Sequence, residues 1–263
     1  MIAKIKVIVL IFCTVVAFII LMIIKPVPQD IAYHNFADQR KIFDVPNFLN
    51  VISNLPFLLV GLHGIKKLRF SQAASKINRM YAVLFIGILF TGLGSAFYHY
   101  APDNNSLVYD RIPMTLVFMA FLSVIIAAWI DIKAGSTLLG PLLLLGTTSV
   151  LYWHYTELNG VGDLRFYAFI QYFPIPLIAL IFILFKDTAN NKGLSMLVLV
   201  IGWYVVAKLL ETFDKNIYGA THFISGHSLK HIAAAIATWY IVRFFEKKYT
   251  TIPNNNHVHT QSF

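Results

Sequence analysis

The chain contains a single cysteine, Cys13, and it lies inside an apolar run, so a disulfide framework is excluded. Charge is also scarce. Only 13% of the 263 residues are charged, against 58% that are hydrophobic. That balance excludes an ordinary soluble domain and points to an all-α integral membrane protein with several spans. No polar stretch is long enough to form a second folded domain. Acidic residues are the scarcer sign, 12 against 21 lysines and arginines, for a net charge of +9. Such a surplus fits either nucleic acid or a membrane topology, and its distribution along the chain decides between them.

A hydrocarbon core of ~30 Å takes roughly 20 apolar residues in a helix. Eight runs qualify, at residues 5–24, 48–65, 80–99, 111–130, 138–153, 166–185, 194–210 and 228–245. The run at 138–153 is short for a span. The first run follows Lys4 and Lys6 and has no small-x-small cleavage site, so it reads as an uncleaved anchor. The expected organisation is an N-terminal anchor over residues 1–25, a seven-helix domain over 26–246, and a disordered polar tail over 247–263. The tail contains His257 and His259, whose His-x-His spacing is also a metal-ligand spacing.

With the N-terminus in the cytoplasm, alternation through eight spans gathers basic residues on one side. Lys4, Lys6, Lys66, Lys67, Arg69, Lys76, Arg79, Lys133, Lys186, Lys192, Arg243, Lys247 and Lys248 all fall on the cytoplasmic side. Asp30, Asp38, Asp44, Asp103, Asp110, Glu157, Asp163, Glu211 and Asp214 fall on the other. This is the positive-inside bias, and it accounts for the basic surplus without nucleic acid. Both termini are expected in the cytoplasm.

The same topology brings polar residues to one level. His227 and His231 are four residues apart, so on a helix they share a face and can bind one metal ion. Ionisable groups in a span are costly and usually functional. His99 closes the third run, and Asp110 opens the fourth. The histidine pair opens the eighth, and all lie at the non-cytoplasmic end. Ser95 sits one turn before His99 on the same face. Each has a structural alternative. His99 suits an aromatic belt beside Tyr98 and Tyr100, Asp110 an N-cap, Ser95 close helix packing, and the histidine pair hydrogen bonding within the bundle. Together, three histidines and a carboxylate suit zinc with an open water position.

Three motifs occur in order: Gly94-Ser95-Ala96-Phe97-Tyr98-His99, Asp110-Arg111-Ile112-Pro113-Met114 and His227-Ser228-Leu229-Lys230-His231. With residues 47–54 on the first domain helix, they resemble the alkaline ceramidase family. That family belongs to a superfamily of seven-span membrane hydrolases that includes adiponectin-receptor-like proteins. The resemblance covers roughly residues 38–245. It implies zinc held by His99, His227 and His231, with Asp110 moving protons and Ser95 stabilising the oxyanion. The implied reaction is zinc-dependent hydrolysis of a linear lipid amide, ceramide or a ceramide-like lipid giving a sphingoid base and a fatty acid.

Two departures stand out. Lys230 replaces an aromatic residue common in the family, and it reads either as a partner for an acid or as a side chain snorkelling to the interface. Residues 38–44, where some members bind calcium, have few carboxylates and two cations, which argues against calcium. Outside the motifs, Asn47, Asn50 and Asn54 form one polar stripe suited to interhelical hydrogen bonds. Pro174 and Pro176 are expected to break the sixth span, beside Tyr167, Gln171 and Tyr172. Lys208, Glu211 and Asp214 recur at helical spacing as an ion-pair network.

The expected partners are the bilayer and a membrane lipid. The membrane is the plasma or inner membrane in a bacterium, or the ER or Golgi in a eukaryote. The alternative function is a receptor or sensor of the adiponectin-receptor-like type with structural zinc. Inverted repeats, the usual sign of a transporter, are not evident.

Overall fold

The computed structural model describes residues 2–185 and 191–250, and these form an all-α membrane protein. The helices are α1 (Ile2–Ile23), α2 (Phe48–Ile52), α3 (Leu55–Leu68), α4 (Ser75–Tyr100) and α5 (Asn104–Trp129). They continue as α6 (Ile132–Leu158), α7 (Arg165–Tyr172), α8 (Pro174–Phe185), α9 (Asn191–Thr212), α10 (Asp214–Thr221) and α11 (Gly226–Tyr249). A short 3₁₀ turn, Ile31–His34, lies between α1 and α2. Lys186 and the expected tail from residue 251, with His257 and His259, lie outside the described residues.

Seven helical segments among the described residues have the length and composition to cross a membrane, including the N-terminal one. The eighth expected span, α11, has 24 residues but is not among them. Its composition is lowered by the residues that make it interesting, His227, Lys230, His231 and Arg243. Large apolar side chains cover the outside of the bundle; Ile183 and Leu144, for example, are about two-thirds exposed. Such a surface fits hydrocarbon and not water.

The helices outrun their apolar runs because polar caps extend them. Helix α5 starts at Asn104, where Asp103 accepts the Ser106 amide and the Ser106 hydroxyl accepts the Asp103 amide. This capping box contributes about 1 kcal/mol. It also means that Asp110 is no N-cap; it lies buried inside the helix. Likewise Asp131 caps α6, which then runs 27 residues instead of the short span expected. The sixth span breaks as the prolines require, with α7 ending at Tyr172 and α8 beginning at Pro174.

Two glycines set the approach of the helices that carry polar motifs. A Cβ on Gly94 would lie 1.9 Å from the Tyr109 carbonyl oxygen, so glycine alone lets α4 and α5 touch there. That contact puts Ser95 against Asp110. A Cβ on Gly226 would lie 2.2 Å from the Leu210 carbonyl oxygen, so α11 can begin tight against the end of α9. Farther along, Tyr81, Phe85 and Phe245 pack tilted or edge-on at 4.5–5.6 Å between ring centres and lock α4 to α11. Around Tyr98, Leu107, Trp153 and Tyr167, a second aromatic cluster packs the opposite end of the bundle.

Candidate metal centre

His99 closes α4, and His227 and His231 occupy the first turns of α11. The three rings meet. His99 Nε2 lies 3.2 Å from His231 Nε2 and 3.3 Å from His227 Nε2, and all three residues are buried. Their ligand atoms lie within 4.8 Å of one another, the one such cluster of metal-binding residue types among the described residues. Three buried nitrogens facing each other cannot satisfy one another fully. A tetrahedral zinc ion with nitrogens at about 2.0–2.1 Å has ligand-to-ligand edges of about 3.3 Å. The donor set and the two shorter edges are compatible with zinc.

Neighbouring groups hold each ligand. Asn47 Nδ2 donates to the His99 carbonyl at 2.9 Å. The His227 amide donates to Asp214 Oδ1 at 2.7 Å. The Ser53 hydroxyl lies 2.8 Å from His231 Nδ1, and Asn50 Oδ1 accepts the Ser228 hydroxyl at 2.7 Å. Asn47 and Asn50 of the asparagine stripe therefore bond between helices and brace the two helices that carry the histidines, whereas Asn54 donates back to the Asn50 carbonyl.

A cap closes the centre from outside. The Phe36 ring packs at 4.6 Å on both His99 and His227. Around it, His34 Nδ1 meets the Tyr98 hydroxyl at 2.8 Å, and the Ala37 amide donates to Asp214 Oδ2 at 3.0 Å. Arg40 donates to both Asp38 oxygens at 2.7–2.8 Å and to the Phe223 carbonyl at 2.5 Å. Burial pushes the Asp38 carboxyl up, but the hydrogen bonds and charge of Arg40 outweigh it and hold it below the usual carboxylate value. Asp38 is thus committed to a guanidinium, and exposed Asp44 pairs with Lys41.

Beside His231 opens a cavity lined also by the polar side chains of Ser95, Asp110, Arg111, Glu211 and Lys230. The structure brings Ser95, Asp110 and His231 to this one space. His99 and His227 stand behind His231, under Phe36. Lys230 does not snorkel to the interface. Its Nζ lies 2.5 Å from Glu211 Oε1, and Lys208 pairs with the same carboxylate. Of the residues flanking Pro174, Tyr167 and Gln171 line the cavity, whereas Tyr172 points more outward at 44% exposed. Phe57, Thr91, Met114, Tyr204 and Ala234 are shared with a second chamber, whose walls are almost wholly apolar. The chambers therefore adjoin, the charged side chains lying at the histidine end and the apolar chamber lying between α5, α8, α9 and α11.

Phe36, Ser53 and Arg111 carried no role in the sequence reading. Ser53 and Arg111 lie inside the motifs at residues 47–54 and 110–114, whereas Phe36 has no spacing signal.

A buried three-histidine centre with one histidine at a cavity next to an apolar chamber, inside an all-α membrane bundle, defines a membrane-embedded candidate metalloenzyme. The Ceramidase family model matches residues 42–262, and the chain belongs to that family. Membership supports hydrolysis of a lipid amide. The match begins after Phe36, so the cap over the histidines precedes the matched region. No curated protein matches the chain.

Proposed function

We propose that the protein is a zinc-dependent amidohydrolase that cleaves ceramide or a ceramide-like lipid amide to a sphingoid base and a fatty acid. The observation that carries this reading is that an apolar chamber adjoins the cavity lined by Ser95, Asp110 and His231. An acyl chain fits the apolar one, and its amide then lies among Ser95, Asp110 and His231. His99, His227 and His231 hold the zinc. When bound, zinc supplies Lewis-acid activation of water near neutral pH.

The chain's own groups do the rest. Asp110 accepts a proton from the attacking water and returns it to the leaving amine nitrogen. The Ser95 hydroxyl donates to the amide oxygen as charge builds on it. Phe36 and the Arg40–Asp38 pair keep bulk water off the histidines. Both termini face the cytoplasm and the site lies towards the opposite face, in keeping with the distribution of charge.

The test is metal analysis with lipid turnover on the purified full chain. Zinc is expected at about one ion per chain, consistent with a single three-histidine site. Asp110→Asn is expected to keep the zinc and lose hydrolysis by about 10²–10⁴-fold. Zinc binding with no turnover of any lipid amide by wild type would favour a receptor with structural zinc.

A further inference from the structure

The apolar chamber has a level floor. Phe121, Val200 and Ile241 line it, and they also line a smaller apolar void farther from the histidines, whose other walls include Trp129, Leu197 and Phe244. These three side chains therefore stand between the two spaces. They come from three different helices, α5, α9 and α11. Phe121 is the broadest of them, and it packs against both of the large apolar clusters of the bundle. Ile241 is buried and Val200 half-buried.

Each of these helices also carries a polar residue of the neighbouring cavity, which gives three independent measures of depth. Ile241 lies ten residues beyond His231 on α11, and Phe121 lies eleven beyond Asp110 on α5. On α9, whose C-terminal end carries the polar residue, Val200 lies eleven before Glu211. At a rise of about 1.5 Å per residue, all three depths are about 15–17 Å. An extended alkyl chain advances about 1.25 Å per carbon, as carbon–carbon bonds of ordinary length and angle require. The distance from the level of the amide to the floor thus holds about 12–14 carbons. No residue that lines the chamber is charged, so nothing between the two levels opposes an alkyl chain.

We infer that Phe121, Val200 and Ile241 set the upper limit on the length of the substrate's acyl chain. The inference rests on the lipid-amide hydrolase reading and deepens it. A chain that leaves the bilayer for this chamber exchanges one hydrocarbon surrounding for another, so added methylenes gain little. Length is read by a steric limit instead. Chains of up to about 14 carbons fit above the floor with the amide at Ser95, Asp110 and His231. A longer chain meets the Phe121 ring. It must then displace packed side chains or hold its amide short of the histidines. Overpacking of that kind lowers kcat/KM by about 10–100-fold. The amine portion lies outside the chamber, and its length is not read there.

The experiment has two arms on the detergent-solubilised, zinc-loaded full chain. In the first, dodecanoyl, tetradecanoyl and octadecanoyl amides of one sphingoid base compete in a single mixed micelle. Mass spectrometry of the released fatty acids gives the ratios of kcat/KM. A parallel series varies the length of the base at a fixed dodecanoyl chain. Wild type should favour the dodecanoyl over the octadecanoyl amide by about 10–100-fold. Phe121→Ala should bring that ratio near unity, because it joins the chamber to the void beyond. Val200→Phe should raise the floor and penalise the tetradecanoyl amide as well. Lost stability alone lowers every length together and leaves the ratios unchanged. Phe121→Leu serves if the alanine variant fails to fold. The second arm needs no turnover. The chain is equilibrated with equal amounts of dodecanoic and octadecanoic acid, and the retained acids are measured. The same preference, and its loss in Phe121→Ala, are expected. Ratios that neither variant moves overturn the assignment, as does a limit that follows the base instead of the acyl chain. A length limit in binding without cleavage of any amide defeats the hydrolase reading while leaving the floor in place. Cleavage with no length limit in either arm does the reverse.

Discussion

Ser53 Oγ lies 2.8 Å from Nδ1 of His231 and donates its own proton to the Asn50 carbonyl at 3.1 Å. Metal ligation through Nε2 requires the imidazole hydrogen on Nδ1, and with its own proton on the Asn50 carbonyl the Ser53 hydroxyl accepts that hydrogen and holds this tautomer. Ser53→Ala should weaken zinc binding by about 10–100-fold, the usual effect of losing a partner that orients a ligand. Competition against a chromophoric chelator would measure it, and unchanged affinity would show that the serine sets nothing.

Gly94 makes a prediction about geometry. Alanine there would force its Cβ towards the Tyr109 carbonyl oxygen and push α4 from α5. Overpacking of this kind costs about 1–3 kcal/mol. More diagnostic is the separation of Ser95 from Asp110. Gly94→Ala should reduce lipid hydrolysis while zinc content stays full, because His99 lies more than a turn farther along α4. Full turnover in this variant would show that the close approach is not needed for the chemistry.

Glu211 should matter more to stability than either lysine it binds. Replacing Lys230 by methionine leaves Glu211 with Lys208, whereas Glu211→Gln leaves two lysines in one cavity without an anion between them. Removing the shared partner of a buried network costs about 3 kcal/mol, against about 1 kcal/mol for one of two redundant partners. Thermal unfolding of the two variants in the same detergent would rank them, and the opposite order would mean that the lysines are solvated.

The cap should loosen in acid. Asp38 is held below the usual carboxylate value by Arg40, so its contribution is full above the ordinary carboxylate range. It is lost as pH falls through the depressed folded-state value, when protonation releases the guanidinium. Hydrogen exchange of the segment around Phe36 should quicken in that window. Asp38→Asn should exchange fast already at neutral pH and lose this part of the acid response. An unchanged profile in the variant would place the cap's hold elsewhere.

Phe36 offers a test of the cap itself. Phe36→Ala removes the ring that packs on His99 and His227 and opens both to water. Zinc should dissociate faster to a chelator, with little change in helicity by circular dichroism. Equal release rates would mean that the ring only fills space.

The chain alone determined the class of architecture, because apolar runs about as long as a bilayer is thick have few other uses. It also determined which residues pair into the centre. Four-residue spacing puts His227 and His231 on one helix face, and counting spans puts His99 and Asp110 at the same end of the bundle. Helix limits were misread where polar caps continue a helix past its apolar run, as Asp103 does for α5 and Asp131 for α6. Only the tertiary structure decided what each polar side chain faces. Lys230 turned out to bind Glu211, a residue 19 positions away on another helix. Phe36, in a segment without periodicity, became the cover of the histidines, and Arg111 came to lie between the Trp153 and Tyr167 rings. Periodicity specifies the face of a helix, but the rotation and depth at which two helices meet come from packing, such as the contact that Gly94 permits between α4 and α5.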